Sequence, residues 1–143
     1  MSALYVVFEV DGRLAAFDAA DVQSVIEIED IYPVPQSPAW VAGLTAMRSQ
    51  SLTVIDCRLA LELPAAETPG ERAPVVKVDG HQYAIMVDAV DDVLEARSDV
   101  LPVPGGFGAG WKRIGKGMIE TERGPVLLVD IDALIAGPCA KAA

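Results

Sequence analysis

The chain reads as an all-β protein: two five-stranded β-barrels packed together, with short helices. Three observations lead there. The sequence repeats itself in two halves. Each half holds five short apolar segments punctuated by Gly and Pro, as small barrels do. And 52% of the 143 residues are apolar, which suits a packed core and not a disordered chain.

The repeat is the firmest of these. "FEVDGRLAAFDAADVQSVIE" from Phe8 matches "VKVDGHQYAIMVDAVDDVLE" from Val76. Val10 meets Val78, Asp11-Gly12 meets Asp79-Gly80, and Ala16 meets Ala84. Val22 meets Val90, Val25 meets Val93 and Glu27 meets Glu95. "YPVP" from Tyr32 is answered by "LPVP" from Leu101, and Trp40 by Trp111. Finally "GLTAMRSQSLTVIDCRLAL" from Gly43 runs without a gap along "GMIETERGPVLLVDIDALI" from Gly117, setting Asp56 on Asp130. The expected halves are residues 4–63 and 73–136, each a barrel. Residues 64–72, rich in Pro, Ala and charge, read as a linker, and 137–143 as a flexible tail.

Each half then reads in the same order. A strand ends at an Asp-Gly turn and a second strand follows, the usual signal of a hairpin. "DVQSVIEI" and "VDDVLEA" alternate enough to be third strands. A Pro-x-Pro break follows, which a central strand does not accept. Two closing strands flank a turn, "SQS" in one half and "ERGP" in the other. A short helix ends each half. Asp56 caps "CRLALEL", and Asp130 or Asp132 caps "ALIAG", stopped by Gly137 and Pro138. A barrel of about 60 residues is marginal alone, because small domains bury a smaller share of their surface. The halves are therefore expected to share apolar surface, with a groove where they meet.

Charge and residue inventory exclude several functions. The formal net charge is −10, which argues against nucleic acid or an anionic membrane surface as partner. No apolar run is long enough to span a bilayer, and no signal peptide is expected, since strand-like sequence begins at once with Leu4 to Phe8. The expected location is the cytoplasm. Cys57 reads as a buried core residue and Cys139 as a tail thiol, with no disulfide framework. His81 sits after the Asp79-Gly80 turn and reads as solvated. No Ser-His-Asp or Cys-His set can be assembled, so no catalytic residue is expected. Asp88, Asp91, Asp92 and Glu95 lack the spacing of a Ca²⁺ loop and read as a solvated strand face; neither metal nor cofactor is expected. "GGFGAG", Gly105 to Gly110, lacks the G-K-[ST] of a phosphate loop and reads as a mobile connection. Lys112, Arg113 and Lys116 beside it read as a solvated loop or as the rim of a site for an acidic partner. Val22, Val25 and Ile26 suit the core or a groove for a partner, and periodicity does not separate these.

The pattern as a whole resembles the CheW family of chemotaxis coupling proteins. "FEVDGRLAAFDAADVQSVIE" resembles the family's opening hairpin and third strand. "PVPQSPAWVAGLTAMRSQSLTVIDCRLAL" resembles its Pro-containing approach and "GxxNLRGxxxPxxDLR" block. "YAIMVDAVDDVLE" and "GKGMIETERGPVLLVDIDALI" resemble its second-half strands and closing segment. The resemblance covers nearly the whole chain. It implies two SH3-like barrels and an adaptor that is not an enzyme. Such an adaptor couples chemoreceptors to a chemotaxis histidine kinase. Its implied partners are the cytoplasmic hairpin tip of the receptor and the regulatory domain of the kinase, with recruitment to membrane receptor arrays. Alternatives are an adaptor of a divergent chemosensory system, controlling surface motility or development, and an unrelated two-barrel protein that binds a small molecule. Partner contacts carried over by resemblance are Val22, Ser24, Ile26, Arg48, Ser49 and Val90. Arg48 matches the arginine of the family's NLRG, which pairs with a glutamate on the third strand. That position is Ser24 here, so Glu27 or Glu29 is the alternative partner. Ala46, Met47 and Ser49 replace the motif's Asn, Leu and Gly. If the glycine position needs a positive φ, Ser49 is strained there.

Overall fold

The computed structural model describes residues 4–47, 49–64, 72–103 and 109–137. Arg48, most of the expected linker, Pro104 to Gly108 with most of the glycine-rich run, and the tail from Pro138 with Cys139 lie outside the described residues.

Ten strands form two sheets, as the sequence pattern leads one to expect. The first contains β1 (Leu4–Val10), β2 (Arg13–Asp18), β8 (Ala89–Glu95), β9 (Gly115–Thr121) and β10 (Gly124–Val129), in the order β8-β1-β2-β10-β9. The second contains β3 (Val22–Glu27), β4 (Val41–Met47), β5 (Gln50–Asp56), β6 (Arg72–Val78) and β7 (His81–Met86), in the order β3-β6-β7-β5-β4. Three short helices accompany them: α1 (Cys57–Ala60), α2 (Ala109–Ile114) and α3 (Ile131–Ala136).

The expectation of one barrel per half, 4–63 and 73–136, is corrected here. Each sheet takes its opening hairpin from one half and its last three strands from the other. The reason lies between β2 and β3. Asp18 accepts a hydrogen bond from the Ala20 N–H (3.0 Å) and caps a single 3₁₀ turn, Ala19–Asp21. That turn leads the chain out of the first sheet, so β3 pairs with β6 and not with its own hairpin. The second sheet is consequently cut from one uninterrupted stretch, Val22 to Met86. The first is made of two pieces that flank it.

The repeat reappears in the ladders residue by residue. Val22 stands opposite Val76, and its mate Val90 opposite Phe8, the mate of Val76. Val25 faces Pro74 as Val93 faces Val6, and both ladders slip register just before this point. The parallel pairs agree too: Val54 beside Ala84 in one sheet, Leu128 beside Ala16 in the other. Both Asp-Gly turns have positive φ at both positions, 53° and 76° at Asp11-Gly12, 51° and 81° at Asp79-Gly80. This is the type I′ geometry that matches strand twist. Asp56 and Asp130 cap α1 and α3, accepting from the N–H of Leu59 and Ala133, each at 3.3 Å.

Burial divides into three clusters. Tyr5, Val7, Leu94, Ile119 and Val126 fill the first sheet's own core, and Leu52, Val54, Ala73, Val75 and Ala84 the second's. Between the sheets lies a larger shared core of Phe8, Phe17, Trp40, Ile55, Ile85, Trp111, Leu127 and others. β1 therefore buries both faces, Val7 toward one cluster and Phe8 toward the other, which explains its unbroken apolar run. The matched tryptophans both enter the shared core, and Trp40 Nε1 donates to the Ile135 carbonyl at 3.0 Å.

The connection after the Pro-x-Pro break is partly helical, against expectation. α2 begins at Ala109, and a Cβ on Gly110 would lie 2.4 Å from the Leu61 carbonyl oxygen. Glycine here permits close approach of two backbones. Arg113 is half-buried and tied into the structure, not a free loop side chain. Its guanidinium donates to the Ala133 carbonyl at 2.5 Å and the Ala60 carbonyl at 2.6 Å, tying α2 to the last turns of α3 and α1. Burial holds its pKa below the usual arginine value, while the two carbonyls accept from two of its five N–H donors.

Candidate functional site

Three of the six carried-over positions lie on β3, an edge strand of the second sheet. Its ladder to β6 slips between Val22 and Ser24, so Gln23 stands outside the pairing. A bulge of this kind alters which side chains face out. Val22 packs against the shared core and Ile26 against the second sheet's own core. Ser24 and Val25 are both exposed. Val90 lies on β8 in the other sheet, where, like its repeat mate Val22, it packs against the shared core. The structure thus groups Val22, Ser24 and Ile26 on one strand and sets Val90 apart from them.

The β4–β5 turn is a two-residue loop, since Met47 pairs with Gln50. Arg48 is outside the described residues. Ser49 is exposed and has φ = 67°, so the position the family fills with glycine does require the left-handed region. Serine there costs roughly 1–2 kcal/mol relative to ordinary backbone. Met47 and Ile26 pack against the same small core, which brings the end of β4 and the strand β3 onto one barrel.

Sequence reasoning missed part of this surface. Tyr32 is 63% exposed and Leu44 37%, and the two exchange backbone hydrogen bonds (2.8 and 2.9 Å) in an isolated bridge. With Val25, 42% exposed, they give the second sheet three large apolar side chains in water. The repeated "YPVP" and "LPVP" were the available signal, because Leu101 bridges Met118 in the matching place.

The strongest electrostatic feature was also missed. Arg58 of α1 grips Asp88 with two hydrogen bonds, Nε to Oδ1 at 2.8 Å and Nη2 to Oδ2 at 2.7 Å. The Asp11 N–H donates to the same carboxylate at 2.8 Å, and the Asp11 carboxylate lies 3.9 Å from Arg58. The hydrogen bonds from Arg58 hold Asp88 below the usual carboxylate range, and Asp88 in turn raises the Arg58 pKa. The acidic group of the sequence is therefore divided. Asp88 belongs to this pair, Asp91 pairs with Arg123, and Asp92 bonds the Val93 N–H. Burial pushes the Cys57 thiol far up, so it is a core residue and no nucleophile. Among the described residues no group of His, Cys, Asp and Glu is placed to hold a metal ion. No helix among them is long and apolar enough to cross a membrane.

A groove does lie where the sheets meet. It encloses about 280 Å³ between the β6–β7 turn, Lys116 of β9 and the start of α3. A second cavity of about 250 Å³ lies at the end of β8, beside the exposed Arg97–Glu122 pair.

Comparison with known proteins gives a consistent result. The model of the CheW-like domain matches residues 4–138. The chemotaxis protein CheW of Thermotoga maritima is 30% identical over 131 residues, covering 90% of this chain and 84% of its own. A probable chemotaxis protein CheW of Rhizobium etli is 27% identical over 144 residues, covering 93% of each chain. In fold, the crystal structure of the scaffolding protein TtCheW from Thermoanaerobacter tengcongensis is similar, with a TM-score of 0.79 at 22% identity over 90% of this chain and 89% of that one.

Proposed function

Since the chain belongs to the CheW-like domain family, we propose that it acts as a chemotaxis scaffold that joins the cytoplasmic hairpin tip of chemoreceptors to the regulatory domain of a chemotaxis histidine kinase. The family consists of coupling scaffolds and not of enzymes. The match over residues 4–138 is the observation that carries the reading, and the residue-by-residue repeat in the ladders supports it.

Receptor and kinase contacts are proposed at Val22, Ser24, Ile26, Arg48, Ser49 and Val90, extended by Val25, Tyr32 and Leu44. The exposure of the last three supports the extension, because large apolar side chains in water on one sheet suit a partner helix laid in a groove. Val22, Ile26 and Val90 are half-buried, so they act mainly by shaping the surface from beneath. An adaptor of a divergent system, for surface motility or development, is the variant favoured by two departures from the family's pattern. Ser24 removes the family's glutamate, and Ser49 keeps a left-handed turn without the family's glycine.

Size exclusion of the purified chain mixed with a chemotaxis kinase regulatory domain tests the reading. Co-elution is expected. Absence of binding to kinase and receptor fragments, together with a tightly held small molecule, would overturn it in favour of a small-molecule-binding protein.

A further inference from the structure

We propose that Arg113 is a positioning residue for partner binding: without contacting the partner, it fixes the angle between the two sheets and so the shape of the surface they share. No ladder or bridge joins the sheets among the described residues. They are held by the shared core, whose hydrophobic contacts are non-directional. Their relative angle therefore depends on the polar contacts that cross the junction. α1 continues β5 of the second sheet, and α3 continues β10 of the first. The Arg113 guanidinium donates to Ala60 of α1 at 2.6 Å and to Ala133 of α3 at 2.5 Å, so one planar group holds the closing helix of each sheet. Its own helix ends at Ile114, whose carbonyl accepts from the Asp130 N–H at 2.7 Å. The Trp40–Ile135 bond and the Arg58–Asp88 pair also cross the junction, but neither reaches both α1 and α3. A rigid fork of donors fixes two acceptors in one geometry, which a point charge does not.

The surface that reads this angle lies on β3 and β8, edge strands of the two sheets and mates in the repeat. Both begin at the junction, where Val22 of β3 and Val90 of β8 pack against the shared core. From there each strand runs out along its own barrel. β3 reaches Ile26 against the second sheet's own core, and β8 reaches Leu94 in the first's. Each leaves a valine in water, Val25 at 42% exposure and its mate Val93 at 50%. A partner helix laid across both strands meets Val25 and Val93 at once, and their separation follows the angle between the sheets. Arg113 belongs to α2, so it acts on this surface only through that angle. The inference rests on the adaptor reading, because it takes the spanning partner to be the receptor hairpin.

The test compares wild type with Arg113→Met, which keeps a long stem and removes the donors, and with Arg113→Lys and Ile119→Val. Ile119→Val loosens the first sheet's own core and leaves the junction intact, so it controls for lost stability alone. Residual dipolar couplings of the whole labelled chain report the angle, since both sheets fit one alignment frame only while they keep their placement. Arg113→Met should need a separate frame for each sheet. It should also bind a receptor hairpin-tip fragment about five-fold more weakly, or worse. Ile119→Val should match wild type in both readouts, and Arg113→Lys should fall between wild type and Arg113→Met. One shared frame in Arg113→Met, unchanged affinity in it, an equal loss of affinity in Ile119→Val, or a lysine variant indistinguishable from wild type would each overturn the proposal. If Arg113→Met does not fold, the lysine variant decides on the same two readouts. Co-elution of wild type with the kinase domain is scored separately. A chain that co-elutes while Arg113→Met keeps wild-type couplings loses this role for Arg113 and keeps the adaptor function.

Discussion

Replacing Asp88 by Asn should destabilise the fold by about 2 kcal/mol at pH 7. The carboxylate accepts three hydrogen bonds, two from Arg58 and one from the Asp11 N–H. Its side chain is 24% exposed and that of Arg58 20%. The pair thus lies between exposed ion pairs, worth roughly 0–1 kcal/mol, and buried ones, whose disruption costs roughly 3–5 kcal/mol. Asparagine keeps one acceptor but turns an NH₂ toward the guanidinium, so donor meets donor. For a chain of this length the loss corresponds to a fall in Tm of roughly 6–8 °C. The pH dependence gives a second reading. Arg58 depresses the Asp88 pKa in the folded state, so between the folded and unfolded values the unfolded chain binds more protons. The pair's stabilisation is fully present above the unfolded value near 4 and is lost as pH falls through the folded value. Urea unfolding at pH 7 and across the acid range measures both effects. The gap between wild type and variant should close as pH drops below about 4. A variant within about 0.5 kcal/mol of wild type at pH 7 would refute the reasoning, as would a gap that persists unchanged in acid.

Three further outcomes follow from the geometry. Ser49→Gly removes the cost of φ = 67° and, after the entropic penalty of glycine, should raise stability by roughly 0.5–1 kcal/mol in thermal unfolding. Gly137→Ala should cost more than about 2 kcal/mol and disturb tryptophan fluorescence, since the new Cβ would lie 2.0 Å from Trp40 Cε2 and Gly137 has φ = 75°. Arg48→Ala should weaken co-elution with receptor or kinase fragments while changing unfolding free energy by no more than about 0.5 kcal/mol; a large drop in Tm would assign it to the fold instead.

What the sequence revealed was local or periodic. The Asp-Gly turns, the caps at Asp56 and Asp130, and the two aligned halves each depend on residues close in the chain or on a pattern that recurs. The strain at Ser49 was legible for the same reason, because a missing glycine marks a special backbone position. Strand exchange was not legible. The same ten strands suit either arrangement, and only a three-residue turn decides between them. The Arg58–Asp88 pair joins residues 30 apart, and Asp88 looked like one of several acidic residues on a strand. α2 was hidden by Gly110, which helix propensity disfavours but close packing against the Leu61 backbone requires. At the partner surface, Val25 looked like any β-strand valine; it lies on the face of β3 opposite Ile26, which packs inward, and so is left in water.

The nesting of one sheet inside the other sets an order of assembly. A ribosome delivers the strands from the N-terminus, and domains commonly fold as they emerge. The second sheet can close once Met86 is out, because all five of its strands have then been made. β1 and β2 are older than any of these, yet they must wait for β8, β9 and β10. Until then Val7, Phe8 and Phe17 belong to a hairpin with no sheet to join, and a lone hairpin is marginal in water. Release of a truncated chain ending before β10 would therefore leave β2 without its neighbour in the sheet. Within this domain the hairpin made first is thus the last part to complete its sheet.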